Sequence, residues 1–182
     1  MNEMYYAGIG SREIPEEIKA LFETIGYELA KLGFVLRSGA ANGSDSAFEN
    51  GCNKVSSKKE IWLPWKGFNG SDSKNIVCDP RAFAVAKLFH PNWEALSDAA
   101  KKLMARNSHQ ILGKELNREI ISSFVVCYTK NGAGAGGTGQ AIRIARHYGI
   151  PIFDAGGAAD LNKFEKEVLT YANSLIDSDK TE

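Results

Sequence analysis

Three short stretches of this sequence combine glycine with small polar or charged residues: "GIGSR" (8–12), "SGAANGSD" (38–45) and "TKNGAGAGGTG" (129–139). Glycine lets backbone N–H groups approach a ligand closely, and a helix that starts directly afterwards adds unpaired donors and the positive end of its dipole. The chemistry these turns suit is the holding of an anion, above all a phosphate. Arg12 adds a planar charge matched to phosphate oxygens. The common nucleotide motifs are absent: Gly8 and Gly10 do not extend into G-x-G-x-x-G because position 13 is Glu, and no G-x-x-x-x-G-K-[ST] occurs. Neither an ordinary NAD site nor a P-loop is supported, and no cofactor is called for.

Carboxylates are the groups that could do more than bind. Asp45 and Glu49 are four apart on an expected short helix and share a face, with Asp45 at its ligand-facing start. Asp45 reads either as a helix N-cap or as a contact to a ribose hydroxyl or water; Glu49 reads as a solvated helix residue or a weaker catalytic candidate. Glu115, Arg118 and Glu119 read as surface pairing on a helix. His90, His109 and His147 show no metal-ligand spacing and read as structural or surface residues. Arg143 and Arg146, three apart, either form a basic face or are simply solvated. Among the tryptophans, Trp65, beside Pro64 and a polar loop, is the candidate for stacking on a base.

The elements that must position these turns follow from hydrophobic spacing. A strand over 4–10 leads to a helix over 14–33, with Ile18, Leu21, Phe22, Ile25, Leu29 and Leu32 on one face. Pro15 and Gly33 stand where a helix start and stop expect them. Next come a strand (34–39), a short helix (44–51), a strand (59–65), a polar loop (66–75) and helices over 81–90 and 92–107. An apolar strand (122–130) precedes the glycine run, followed by a helix (138–149), a strand (150–156) and a closing helix (160–176), with 177–182 as a frayed tail. Strands alternating with helices predict an α/β, Rossmann-like, doubly wound parallel sheet in a single domain spanning 1–182. In such a sheet ligands bind beyond the carboxyl ends of the strands, which is where all three glycine turns fall.

Bulk composition narrows the partners. Lys and Arg total 22, as do Asp and Glu, so no global positive field attracts nucleic acid, although a local basic patch is compatible with this balance. Three widely spaced cysteines, Cys52, Cys78 and Cys127, give neither a disulfide framework nor a zinc site and suit a reducing cytoplasm. No basic-then-apolar leader follows Met1, and no apolar run approaches membrane-spanning length, so no membrane partner is expected.

Taken together, "GIGSRE", "LRSGAANGSDSAFENG" and "GAGGTGQAIRIA" resemble the Rossmann-like nucleotide-binding superfamily that unites the DNA-processing protein A (Smf) family with the lonely guy (lysine decarboxylase-like) phosphoribohydrolases. The resemblance spans about 4–156, looks closest to the DNA-processing branch, and the compact length is similar to short versions from phage and mobile elements. It implies binding roles for Gly10, Ser11, Arg12, Ser38, Gly39, Gly43 and Asp45, and for Arg106 in "MARN". The third turn is similar to the phosphoribohydrolase signature and implies a cradle of Gly136, Gly137, Thr138 and Gly139, with Gln140 near the base or ribose. That signature has a threonine where Gln140 stands and its catalytic glutamate where Arg143 stands. Cleaving an N-glycosidic bond needs a carboxylate to activate water, which arginine cannot supply. The family also implies homo-oligomers, although no coiled-coil seam is visible.

The leading expectation is therefore a protein that holds a phosphorylated nucleotide, to sense or sequester it without strong turnover. Two alternatives accompany it: a single-stranded DNA-binding recombination mediator, and a nucleoside 5′-monophosphate N-glycosidase with Asp45 or Glu49 as a relocated acid.

Overall fold

A computed structural model describes residues 3–55 and 58–180. Its centre is a six-stranded sheet, in which β1 (Tyr5–Gly10), β2 (Val35–Ser38), β3 (Lys59–Leu63), β4 (Asn75–Ile76), β5 (Phe124–Tyr128) and β6 (Ile152–Asp154) lie in the order β4-β3-β2-β1-β5-β6. Every adjacent pair is parallel. The helices are α1 (Glu16–Lys31), α2 (Ser44–Asn53), α3 (Pro80–Phe89), α4 (Asp98–Leu112), α5 (Gly136–His147) and α6 (Leu161–Asp179). This is the expected Rossmann-like α/β architecture, with its strand order reversing beside β1.

Alternation along the central strands sorts the core into two layers. Tyr6, Phe124 and Val126 face a cluster with Phe22, Ile25 and Leu29 of α1, Phe48 of α2 and Phe164 and Val168 of α6. Ala7, Ile9, Val125 and Cys127 face the other side, against Ile111 and Leu112 of α4 and Ile142 and Ile144 of α5. Parallel strands covered on both faces read as continuous apolar runs, as "FVVC" does.

Four local expectations need correction. The loop over 66–75 contains a 3-10 turn (Phe68–Gly70) and ends in β4, whose two residues are too few to show a strand pattern. The helix expected over 92–107 opens as a 3-10 turn at Trp93–Ala95; α4 begins only after Ser97, whose hydroxyl caps Ala100 N–H at 3.2 Å, and it continues to Leu112. No helix carries Glu115, Arg118 and Glu119: Gly113 ends α4 and Leu116 sits at φ 54°, so this stretch is a turn. The closing helix runs to Asp179 rather than fraying at 177, while 181 and 182 lie outside the described residues. Among the described residues, no helix is long and apolar enough to cross a membrane.

Candidate functional site

The reversal of strand order leaves a crevice beyond the carboxyl ends of β1 and β5, and the first glycine turn forms its near wall. Gly10 has φ 152°, and a Cβ there would stand 2.8 Å from both the Tyr128 backbone nitrogen and the Ser44 Cβ, so a side chain is excluded by both conformation and space. Ser11 N–H donates to Tyr128 O at 2.9 Å, and Ser11 O accepts from Ser44 N–H at 3.1 Å and from Ser44 Oγ at 3.0 Å. The turn is thereby stapled between β5 and α2. Gly43, at φ 76°, opens α2 with its Cα against the Arg12 carbonyl group. Arg12 is left exposed at the rim, with no hydrogen bond or ion pair among the described residues.

The second glycine turn builds the floor around Gly39. Gly39 N–H donates to Asp45 Oδ2 at 3.1 Å, and Ala41 N–H donates to the same oxygen at 3.3 Å. The Gly39 carbonyl accepts from Arg106 Nη1 at 2.5 Å. A Cβ on Gly39 would collide with the Arg106 guanidinium and come within 2.5 Å of Gln110 Nε2. Between them Ala40 adopts φ 56°, a left-handed conformation that a non-glycine residue holds only when its surroundings impose it. The Ala40 carbonyl accepts from Asn69 Nδ2 at 3.0 Å, which draws the 66–75 segment onto this edge, and Phe68 lies 5.8 Å from the Arg106 guanidinium.

Asp45 and Arg106 are both buried, at 3% and 7% exposure. Burial pushes the Asp45 carboxyl up to about 6, against the opposing pull of the Arg106 charge and the two backbone N–H groups. Burial likewise lowers the Arg106 pKa, which Asp45 raises and the Arg12 charge lowers. The two groups feel each other but form no salt bridge among the described residues, and Arg106 Nε is buried without a partner. Opposite charges held apart in a cleft, each still penalised by desolvation, are a signature of functional sites.

Helix α4 supplies Arg106 because it is enclosed on every side there: Arg106, Asn107, Ser108, His109 and Gln110 are all buried. Asn107 Nδ2 donates to Gly137 O at 2.9 Å, and Ser108 Oγ donates to Ala82 O at 3.1 Å. His109 stacks on Trp62 at 4.0 Å, with Nδ1 3.0 Å from Gly113 O, and burial holds its pKa below the usual histidine range. The Gln110 side-chain amide, on a residue 1% exposed, has no hydrogen-bond partner among the described residues and lines the cleft.

The third glycine turn closes the far wall. Asp154 accepts from Thr129 N–H at 2.9 Å, from the Thr129 hydroxyl and from Gly156 N–H at 3.0 Å, while Gly134 N–H donates to Thr129 Oγ1 at 2.9 Å. This brace aims the start of α5 at the cleft. Ala135 precedes α5 without a side-chain cap, so the first N–H groups of the helix are open. Lys130 stands exposed beside them, with no ion pair among the described residues. The cleft, open to solvent at its rim, measures about 480 Å³, within the range that holds a nucleotide-sized ligand.

Of the residues singled out in the sequence, Gly10, Ser11, Arg12, Asp45, Arg106, Gly136, Gly137 and Thr138 line this cleft. Gly39 and Gly43 shape it from behind, and Gly139 packs under it against the Gly134 carbonyl. Several expectations do not fit. Ser38 is fully buried and donates to Gly8 O at 2.6 Å, joining β2 to β1. Gln140 faces away from the cleft, donating to Ala86 O at 2.8 Å and accepting from Arg143 Nη2 at 2.8 Å, because its position on α5 turns toward α3. Glu49 pairs with Lys59 at 2.8 Å outside the cleft. Arg143 is also tied to Phe89 O at 2.8 Å, while Arg146 is exposed. Trp65 meets Phe68 edge-on and does not line the cleft. Asn107, Gln110 and Lys130 join the site unanticipated. The one signal for the first two was five consecutive polar residues inside a helical pattern.

No family model matches the sequence, and no curated protein matches it. Solved structures do. A structure of DNA processing protein A from Helicobacter pylori, described for its single-stranded DNA binding mode, is 19% identical and superposes with a TM-score of 0.58 over 96% of this chain and 81% of that one. The molybdenum cofactor carrier protein of Chlamydomonas reinhardtii is similar in more than one structure. One is 15% identical with a TM-score of 0.53, over 99% of this chain and 98% of that one. Another is 14% identical with a TM-score of 0.55, over 86% and 77%. At such identities the shared property is the Rossmann-like fold.

Proposed function

We propose that this chain binds a phosphorylated nucleotide in the cleft between the three glycine turns and holds it without strong turnover. One observation carries the reading: unsatisfied donors converge on a single cleft. They are the open start of α5, the unpaired Arg12 and Lys130 at the rim, and the Arg106 guanidinium at the floor. A phosphate at the rim meets a helix dipole and two cations together. Holding rather than cutting fits the carboxylates present. Asp45 spends one oxygen on two backbone N–H groups that shape the Gly39 turn, and position 143 carries an arginine bound to α3. A thermal-shift panel of mono-, di- and cyclic nucleotides tests this. Binding at concentrations far above Kd raises the melting temperature by several degrees, and a panel without any shift refutes it.

A second reading, a single-stranded DNA-binding protein, draws on the fold shared with DNA processing protein A. Arg12 and Lys130 at the rim would contact successive phosphates, while zero net charge argues for a small footprint. Oligonucleotide binding that weakens steeply with salt supports it, and salt-insensitive or absent binding excludes it.

A further inference from the structure

We propose that the floor of the cleft, formed by Asp45, Arg106 and Gln110 around Gly39, reads the lactam edge of a nucleobase, an N–H beside a carbonyl oxygen. It thereby selects oxo bases (hypoxanthine, guanine, uracil) over amino bases (adenine, cytosine). This inference rests on the nucleotide-binding reading and specifies the ligand's orientation and class.

Both Asp45 hydrogen bonds fall on Oδ2, so Oδ1 has no donor among the described residues. Arg106 spends only Nη1, on Gly39 O, and the Gln110 amide is unpartnered. All three residues border the same cleft, and all abut Gly39. The floor thus offers the free Asp45 Oδ1 beside the Arg106 guanidinium and the Gln110 amide, whose Nε2 is the end turned toward Gly39, with a gap between the carboxylate and the guanidinium where no salt bridge forms among the described residues.

A phosphate does not suit that gap, because it would face Oδ1 as a like charge, whereas at the rim Arg12, Lys130 and the helix N–H groups outnumber the single carboxylate of Glu13. The base therefore enters first and the phosphate stays at the rim. A lactam N–H donates to Asp45 Oδ1, and its carbonyl oxygen, with two lone pairs, accepts from both Arg106 and Gln110. An amino base also supplies an N–H, but its neighbouring ring nitrogen has a single lone pair and leaves one of these donors unpaired. An unpaired buried donor lowers affinity by about ten-fold or more.

Calorimetric titration at pH 8 with IMP, GMP, UMP, AMP, CMP and ribose 5-phosphate tests the assignment. The expected result is that IMP, GMP or UMP binds at least ten-fold more tightly than AMP, CMP and ribose 5-phosphate; a preference among the three oxo nucleotides separates purine from pyrimidine. Q110L, which removes an amide that bonds to nothing in the protein, lowers oxo-base affinity toward that of the amino bases. D45N replaces the free acceptor with a donor and abolishes the preference. Equal affinities across the panel, or a D45N variant that binds every compound including ribose 5-phosphate more tightly, place the phosphate at the floor and overturn the inference while nucleotide binding stands. No binding by any compound overturns the nucleotide-binding reading itself, and this inference with it.

Discussion

Asp45→Asn makes the tension in the floor measurable without any ligand. The carboxyl is buried and raised from its ordinary 3.8 to about 6, so the folded state holds its proton more tightly than the unfolded chain does. A raised acid contributes its full stability below the unfolded value and loses it as pH rises through the folded value. Ionising Asp45 above pH 6 therefore costs at most about 3 kcal/mol, from the separation of the two values at about 1.36 kcal/mol per pH unit. Asn keeps an oxygen for Gly39 and Ala41 N–H and carries no charge at any pH. Urea unfolding of both proteins at pH 4, 5, 7 and 8 should show D45N within about 1 kcal/mol of wild type at pH 4 and progressively more stable than it by pH 8. If D45N were destabilised by the same amount at every pH, Asp45 would be an ordinary loop clasp and the desolvated floor would not exist.

Three further outcomes follow from the geometry. Gly10→Ala forces a side chain into a left-handed site against Ser44 and the Tyr128 backbone; it should lose about 2 kcal/mol or more in denaturant unfolding and weaken nucleotide binding with it. Gln140→Ala strips the partners from Ala86 O and Arg143; it should cost about 1–3 kcal/mol of stability yet leave the nucleotide Kd unchanged, and a weakened Kd would return Gln140 to the ligand. Arg37, fully buried between Glu60 at 2.7 Å and Ile120 O at 2.6 Å, ties β2 and β3 to the turn after α4; Arg37→Ala should cost about 3 kcal/mol by thermal unfolding.

The three glycine turns were legible because their requirement is local: a backbone that must turn at Gly10 or approach Arg12 at Gly43 shows it in the residue itself. The parallel sheet was legible for the same reason, through runs such as "FVVC". What the sequence hid depends on which way a helix faces. Counting along the glycine motif sets Gln140 near the base or ribose and Arg143 where the similar signature has its catalytic glutamate, but α5 presents both positions to α3, where both are bonded. The helix expected over 92–107 stops short of "SHQ", whereas α4 runs on to Leu112 enclosed by the sheet end, α3 and α5, so each residue of "RNSHQ" needs a partner. Four find one in the protein, while the Gln110 side chain makes no hydrogen bond among the described residues and lines the cleft. The sequence position of Asp45 suits an N-cap or a ligand contact; Gly43 caps α2, and Asp45 instead clasps the preceding turn with one oxygen while the other has no donor among the described residues.

The most direct test of a nucleotide-binding cleft is calorimetric titration of a nucleoside monophosphate into the wild type and Arg12→Ala. Arg12 is exposed and makes no hydrogen bond among the described residues, so its loss leaves folding unchanged. Saturable one-to-one binding in the wild type, weakened about ten-fold or more in R12A at an unchanged melting temperature, is the expected result. No heat of binding with any nucleotide, or an affinity indifferent to Arg12, would contradict it.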